Sequence, residues 1–508
     1  MSARFDMRSL QNTRVGLVGH RSRRQAQARP SFIEGLEERR LLATGLVADI
    51  NMMSLMVVPE SLTAVNGTLL FSADDGALGP ELWKSDGTAA GTELIKDINL
   101  GSEGSSPQSL ISINGVLYFT AKDGTHGRQL WRSDGTPGGT MVLTTSLTSS
   151  SVANLTNVDG TLFFTCGAQL WKSDGTPAGT MLVAALSGMY SPPTNLTVAG
   201  GMLYFTGDPS YVGGLWKSDG TLGGTIKLGS VLASNLIDLD GTLYFMGSTG
   251  TNGTGLWKTD GTPTGTTQVK LIDPTAVVYS GNVVNINGML YFAGNDGIHG
   301  TELWQSDGTE AGTKMVRDII PGAGSSNPSD LASIDGTLYF AATDATHGTE
   351  LWKSDGTEGG TTLLKDINLA GDSLPTELTA AAGGFVFNAI DAEHGSELWI
   401  SDGTAAGTRM VKDIFADEGD SYASYFTRVN DWVYFVAADL EHGFEIWKTD
   451  GTEAGTTLVK DIYRNTDSAF PSQLITIDGT TFFVADDGIC GDELWATDGT
   501  PAGTRLLG

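Results

Sequence analysis

One phrase is written ten times along this chain. Residues 299–313 read HGTELWQSDGTEAGT, 347–361 read HGTELWKSDGTEGGT, and 394–408 read HGSELWISDGTAAGT. The phrase centres on Trp83, Trp131, Trp171, Trp216, Trp257, Trp304, Trp352, Trp399, Trp447 and Trp495, at spacings of 48, 40, 45, 41, 47, 48, 47, 48 and 48 residues. Of the 11 tryptophans only Trp432 falls outside the pattern. A period near 47 in a 508-residue chain excludes one ordinary packed core. It calls for stacked supersecondary units, a solenoid or a propeller.

One unit shows what each repeat folds into. In LASIDGTLYFAATD two apolar runs flank Asp-Gly, a hairpin signal, and Tyr339 and Phe340 are aromatic strand residues. After the ATHG turn, TELWKS reads as a third strand with Leu351 and Trp352 on opposite faces. DGTEGGT is a glycine-rich loop and TLLKDI a fourth strand. Four antiparallel strands in about 47 residues make one propeller blade. The expected fold is all-β, a propeller of about ten four-stranded blades over 44–508. Two five-bladed propellers split near 272–285 are the alternative. GLVADI at 45–50 reads as a surplus fourth strand that could close a ring.

The ten tryptophans are read as the packing core of the repeat. Asp86, Asp134, Asp174, Asp219, Asp260, Asp307, Asp355, Asp402, Asp450 and Asp498 each open an Asp-Gly-Thr-x-x-Gly-Thr loop, read as a clasp between third and fourth strands. The aspartate caps the turn, the threonines bond back to the backbone, and Gly308 and Gly312 are expected at positive φ. Residues repeated in every blade perform one task ten times, and that task is folding.

ELWKSDGTAAGT and its nine relatives resemble the ELWxxDGT repeat family of bacterial secreted proteins. The resemblance covers nearly all of 44–508. It implies a propeller-like repeat protein at the surface and no known reaction. Gln129, Gln169, Gly214 and Gly255 depart from it at the glutamate, and Ile446 at the leucine.

Residues 1–43 carry nine arginines against four acids, a net +5, which leaves −34 for the rest of the −29 chain. LEERRLLATG at 36–45 resembles the LEPR-xLL segment of large surface proteins from planctomycete-type bacteria. Leu36, Glu37, Arg39, Leu41 and Leu42 match, and Glu38 stands in place of proline. The resemblance implies an export leader over 1–43 and a secreted or cell-surface location. So acidic a body is not expected to bind nucleic acid, and no apolar run reaches the length of a membrane span. Cys166 and Cys490 fall in different parts of different repeats, so no disulfide between them is expected.

His126, His299, His347, His394 and His442 each sit in a His-Gly turn and are read as bonding within it, to the nearby Asp, rather than as metal ligands. No cofactor is expected. A structural calcium has Asp417, Glu418 and Asp420 as its candidate ligands. The chain contains no H-E-x-x-H, no G-x-S-x-G and no P-loop. Units over 144–272 lack the Lys-Asp-Ile ending and the Asp–His–Gly turn, and are expected to form a distinct binding face. Trp432, Tyr422 and Tyr425 are the candidate ligand contacts. The functional expectation is a secreted, non-enzymatic protein that binds or adheres to a glycan, the cell wall or a protein. A sialidase-like carbohydrate hydrolase, with acids gathered at the axis, is the alternative.

Overall fold

The computed structural model describes residues 59–507, apart from 148–151, 187–191, 208–213, 251–252, 276–280, 417–418, 464–467 and 490. These residues form ten sheets, each an antiparallel meander of four consecutive strands. The blades run over 60–96, 108–142, 152–185, 194–229, 232–273, 283–317, 329–365, 376–412, 424–460 and 472–506.

Blade 7 shows the local logic. Its strands are Ser329–Ile334, Thr337–Asp344, Gly348–Ser354 and Thr362–Lys365. Asp335 and Gly336 join the first two at φ 49° and 78°. Two positive φ angles make the tight hairpin turn whose twist suits paired strands. Alternation then sends side chains to opposite faces. Leu338, Phe340 and Trp352 pack against blade 6, while Tyr339, Leu351 and Leu364 pack against blade 8.

Every core is therefore a seam between two blades. Ten apolar clusters fill the ten seams. The cluster of Leu239, Tyr244, Leu290 and Phe292 runs unbroken between blades 5 and 6, where a split into two propellers would fall. The cluster of Leu69, Phe71, Phe482 and Leu494 joins blade 10 to blade 1. Arg505 adds a hydrogen bond to the Gly87 carbonyl across the same seam. The fold is one closed ring of ten. Blades 1 and 10 each supply their own four strands, so closure exchanges none; 45–50 lies outside the described residues.

The most deeply buried aromatic is the second-strand phenylalanine rather than the tryptophan. Phe340, 0% exposed, pairs across the ladder with Trp352, and the same Phe–Trp register recurs in all ten blades. Six of the ten tryptophans are buried, while Trp83, Trp171, Trp216 and Trp257 are half-buried.

The first strand of each blade touches the first strands of both neighbours all the way round. These ten strands form the inner wall. At spacings between those of paired strands and packed sheets, roughly 5 to 10 Å, they enclose a hole roughly 16 to 32 Å across between backbones. A four-strand meander places its first and third turns at one end and its second turn and onward linker at the other. The ring thus has a clasp face, with the hairpins and the Asp-Gly-Thr loops, and a linker face, with the His-Gly turns and the interblade linkers.

Candidate functional site

Each of the ten clasp aspartates binds its own loop through Oδ1. Asp307 Oδ1 accepts from the Thr309 N–H at 2.9 Å and the Thr309 hydroxyl at 2.7 Å. Thr309 Oγ1 accepts from the Gly312 N–H at 3.0 Å, and Thr313 Oγ1 donates to the Thr309 carbonyl at 2.6 Å. The Thr309 hydroxyl, followed by its N–H, holds the Asp307 carboxyl below its usual range. Gly308 has φ 82°, which glycine alone adopts cheaply. Gly312 does not share that conformation. It is glycine because a Cβ there would overlap the Asp307 carboxylate, a steric demand instead of the conformational one expected.

The glutamate of Glu-Leu-Trp is a buried hook. Glu302 is 0% exposed, and its carboxylate accepts from the Ile319 N–H at 3.0 Å, the Ser326 N–H at 3.0 Å and the Ser326 hydroxyl at 2.6 Å. Glu81 and Glu350 hold their linkers the same way, with Ser105 and Ser373 as hydroxyl donors. Burial raises all three above the ordinary carboxyl range, and the donors pull back only part of the shift. Blade 9 departs from the set. Ala469 stands where these linkers have serine, Glu445 Oε2 has no hydrogen-bond partner, and burial pushes Glu445 up to about 8. Burial pushes Glu397 up to about 7; there the Ser421 hydroxyl donates to the Ser396 carbonyl at 3.0 Å.

The five histidines bond within their turns. His347 Nδ1 lies 2.7 Å from Asp344 Oδ2, and the other four turns match, at 2.7 to 3.0 Å. This hydrogen bond raises His299, His347, His394 and His442. Among the described residues no group of three or more His, Cys, Asp or Glu is arranged to hold a metal ion. Asp417 and Glu418 lie outside the described residues. Asp420 Oδ1 accepts from the Ser396 N–H at 2.8 Å.

The candidate aromatic contacts do not form one surface. Trp432 is half-buried at a hairpin on the clasp face, packed into the blade 9–10 core, with Lys448 Nζ 4.4 Å from its ring centroid. Tyr422, 44% exposed, stacks on Phe444 at the linker face. Tyr425 sits in the inner wall, on the first strand of blade 9. About half of the unusual pieces of the 144–272 sector, at 187–191, 208–213 and 251–252, lies outside the described residues. Blade 5 within that sector does keep its cationic ending: Lys270 makes the interblade bond that the Lys-Asp-Ile lysines make.

The inner wall gathers what the sequence does not group. In nine blades one residue among the second to fourth of the first strand has positive φ: Ser61, Ser109, Asn154, Asn195, Asn235, Asp330, Glu377, Tyr425 and Gln473, at 50° to 61°. The ladder slips at each of them, a bulge that turns the side chain out of the pleat. Several bulges tie one blade to the next. Gln473 Oε1 accepts from the Ser61 N–H at 3.0 Å while its Nε2 donates to the Pro59 carbonyl at 2.9 Å. Asn154 Nδ2 donates to the Pro193 carbonyl at 2.8 Å, and Glu377 Oε2 accepts from the Tyr425 N–H at 2.6 Å. Ser109, Asn154, Asn195, Asp330 and Glu377 remain exposed at the wall. Asp330 and Glu377 sit on adjacent blades. Although their side chains reach the hole, desolvation by the surrounding wall raises both, and the charge of Asp330 adds to the rise of Glu377. The wall is a ring of amides and hydroxyls with one acidic sector, at the linker-face end of the hole.

The chain matches no protein-family model and no curated protein. It is similar to solved structures that include a puromycin hydrolase, 14% identical over 75% of this chain and 58% of that one, with a TM-score of 0.32. An acylaminoacyl peptidase of Pyrococcus horikoshii is 11% identical over 70% and 59%, with a TM-score of 0.28. The β-propeller domain of the Trilobed protease of Pyrococcus furiosus is 13% identical over 59% and 95%, with a TM-score of 0.28. The chain spans 58% of the puromycin hydrolase chain. The structures found are peptidases and a hydrolase, which stands as a correction to the expectation of a non-enzymatic adhesion protein. The propeller itself rests on the ten four-stranded sheets described above.

Proposed function

We propose that the ring is the propeller module of a peptidase, and that its inner wall receives an extended peptide. The observation that carries this reading is the wall itself, which presents one polar bulge side chain in nine of ten blades. Amide and hydroxyl side chains both donate and accept, which suits the alternating N–H and C=O groups of a polyamide. An extended strand with its side chains is about 10 Å across, within the estimated width of the hole. The Asp330–Glu377 sector would draw a peptide ammonium or a basic side chain. Two sequence features support a setting: the Arg-rich leader and LEERRLLATG would direct the module to the cell surface or beyond.

Fluorescence anisotropy of a labelled ten-residue peptide on the full chain tests the reading, with hydrolysis of the unlabelled peptide followed in parallel. A free-amine peptide is expected to bind. N-acetylation, or the Asp330→Asn/Glu377→Gln double variant, is expected to weaken binding about tenfold, the scale of one charge-assisted hydrogen bond. Equal affinity for the free and acetylated peptides, or no binding of either, overturns it.

A further inference from the structure

The seams of the ring are not equally fastened. A cation on the fourth strand crosses to the next blade's clasp in six of them: Lys96, Lys270, Arg317, Lys365, Lys412 and Lys460 each donate to a threonine carbonyl, at 2.5 to 3.0 Å. In five of the six the cation also lies 5.3 to 6.0 Å from the neighbour's tryptophan ring centroid. Blades 2, 3 and 4 have Thr144, Ala184 and Gly229 at this register. The first two seams keep other ties. Arg132 Nη1 donates to the Gly175 carbonyl at 3.0 Å, and Asn154 reaches Pro193.

Between blades 4 and 5 no side-chain hydrogen bond joins described residues. Lys217 and Asp260 interact only through charge. In the apolar cluster there Met202, Ile226, Ala233, Leu236 and Trp257 are only half-buried, more such members than at any other seam among the described residues. The facing hairpins meet through Gly200 and Gly241, backbone against backbone. Both blades carry glycine, Gly214 and Gly255, where six of the other blades carry glutamate and two carry glutamine.

We infer that the ring opens at the seam between blades 4 and 5, and that this opening gives an extended ligand lateral access to the inner wall. The access half rests on the function proposed above; the opening half does not. Gly229 supplies the decisive variant. A Cβ at Gly229 meets only Thr266 Cγ2, at 3.9 Å. Thr266 is the clasp threonine whose carbonyl a lysine would reach, so Gly229→Lys installs the missing fastening.

Thiol labelling under native conditions reads the opening. In a Cys166→Ala/Cys490→Ser background, Leu243→Cys probes this seam and Leu338→Cys probes the fastened seam between blades 6 and 7; the two leucines are 0% and 1% exposed. The Leu243→Cys thiol is expected to react at least about tenfold faster, and Gly229→Lys is expected to bring the two rates together, since a charged hydrogen bond changes such an equilibrium by about tenfold or more. Equal rates, or a folded Gly229→Lys variant with no effect, overturn the opening. If the cysteine variants do not fold, hydrogen exchange on the native chain decides. Strands 232–239 and 242–248 should exchange faster than 329–334 and 337–344, and slow in Gly229→Lys; equal exchange overturns it. The access half is read from peptide association, which Gly229→Lys should slow about tenfold at unchanged Kd. Slowed labelling with unchanged association overturns access alone. A peptide that does not bind at all overturns the proposed function and leaves the labelling result standing.

Discussion

Ala469→Ser should stabilise the ring at alkaline pH and do almost nothing at acid pH. Glu445 is 0% exposed, and its Oε1 accepts from the Tyr463 N–H at 3.0 Å while Oε2 has no partner. Asp461 and Asp439 add their negative charge. Glu397 occupies the same place one blade earlier, with two backbone donors at 3.0 Å each, and Glu302 and Glu350 accept a serine hydroxyl at 2.6 Å besides their backbone donors. Glu445 and Glu397 are pushed up to about 8 and about 7 respectively. A hydrogen bond to a buried carboxylate is worth at least about 1 kcal/mol, which is the magnitude assigned to the missing hydroxyl. The sign follows from linkage. The folded pKa of Glu445 lies above its unfolded value, so the folded ring keeps a proton that the unfolded chain loses. Its contribution is greatest below the unfolded pKa of about 4.3 and is lost as pH rises through the folded pKa. A serine donor favours the charged form, lowers the folded pKa and recovers about 1 kcal/mol above pH 8. The assay is thermal unfolding of wild type and Ala469→Ser from pH 5 to pH 9. An equal Tm difference at pH 5 and pH 9, or a loss at pH 9, would refute the reasoning.

Other outcomes follow from the same geometry. Gly312→Ala should cost about 2 to 3 kcal/mol, because the new methyl displaces the Asp307 carboxylate and strands its donors; Gly138→Ala, with nothing within 4 Å, should lie within about 0.5 kcal/mol of wild type by thermal denaturation. Arg317→Met should cost about 1 to 3 kcal/mol, the scale of a charged hydrogen bond, and should raise hydrogen exchange selectively in blades 6 and 7. Glu350→Ala should destabilise more than Glu350→Gln, by about 1 to 2 kcal/mol in urea unfolding, because glutamine still accepts from the linker while alanine leaves its buried donors unpaired.

The blade was legible because its signals are local. Asp335-Gly336 can only be a tight hairpin, and the alternation through Tyr339, Phe340, Leu351 and Trp352 assigns each residue to one of two faces. The number of rings was not legible. Ten blades of equal period fit one ring or two, and the answer lies in the small rotation accumulated at each seam. Gly308 and Gly312 read alike in the sequence, yet one answers to φ and the other to a carboxylate. The glutamate hook was hidden in plain text, since a charged residue in a repeated phrase reads as surface until its donors 17 to 24 residues later are seen. The inner wall had no signature at all. Ser61, Asn154, Glu377, Tyr425 and Gln473 share a backbone conformation, and no residue type marks it.

A crystal structure of the full chain with the free-amine peptide tests the central claim most directly. The account predicts one closed ring of ten blades, with Gln473 bonded to Ser61 and the peptide extended along the inner wall beside Asp330 and Glu377. Two separate rings, or a peptide bound on the clasp face with the wall empty, would contradict it.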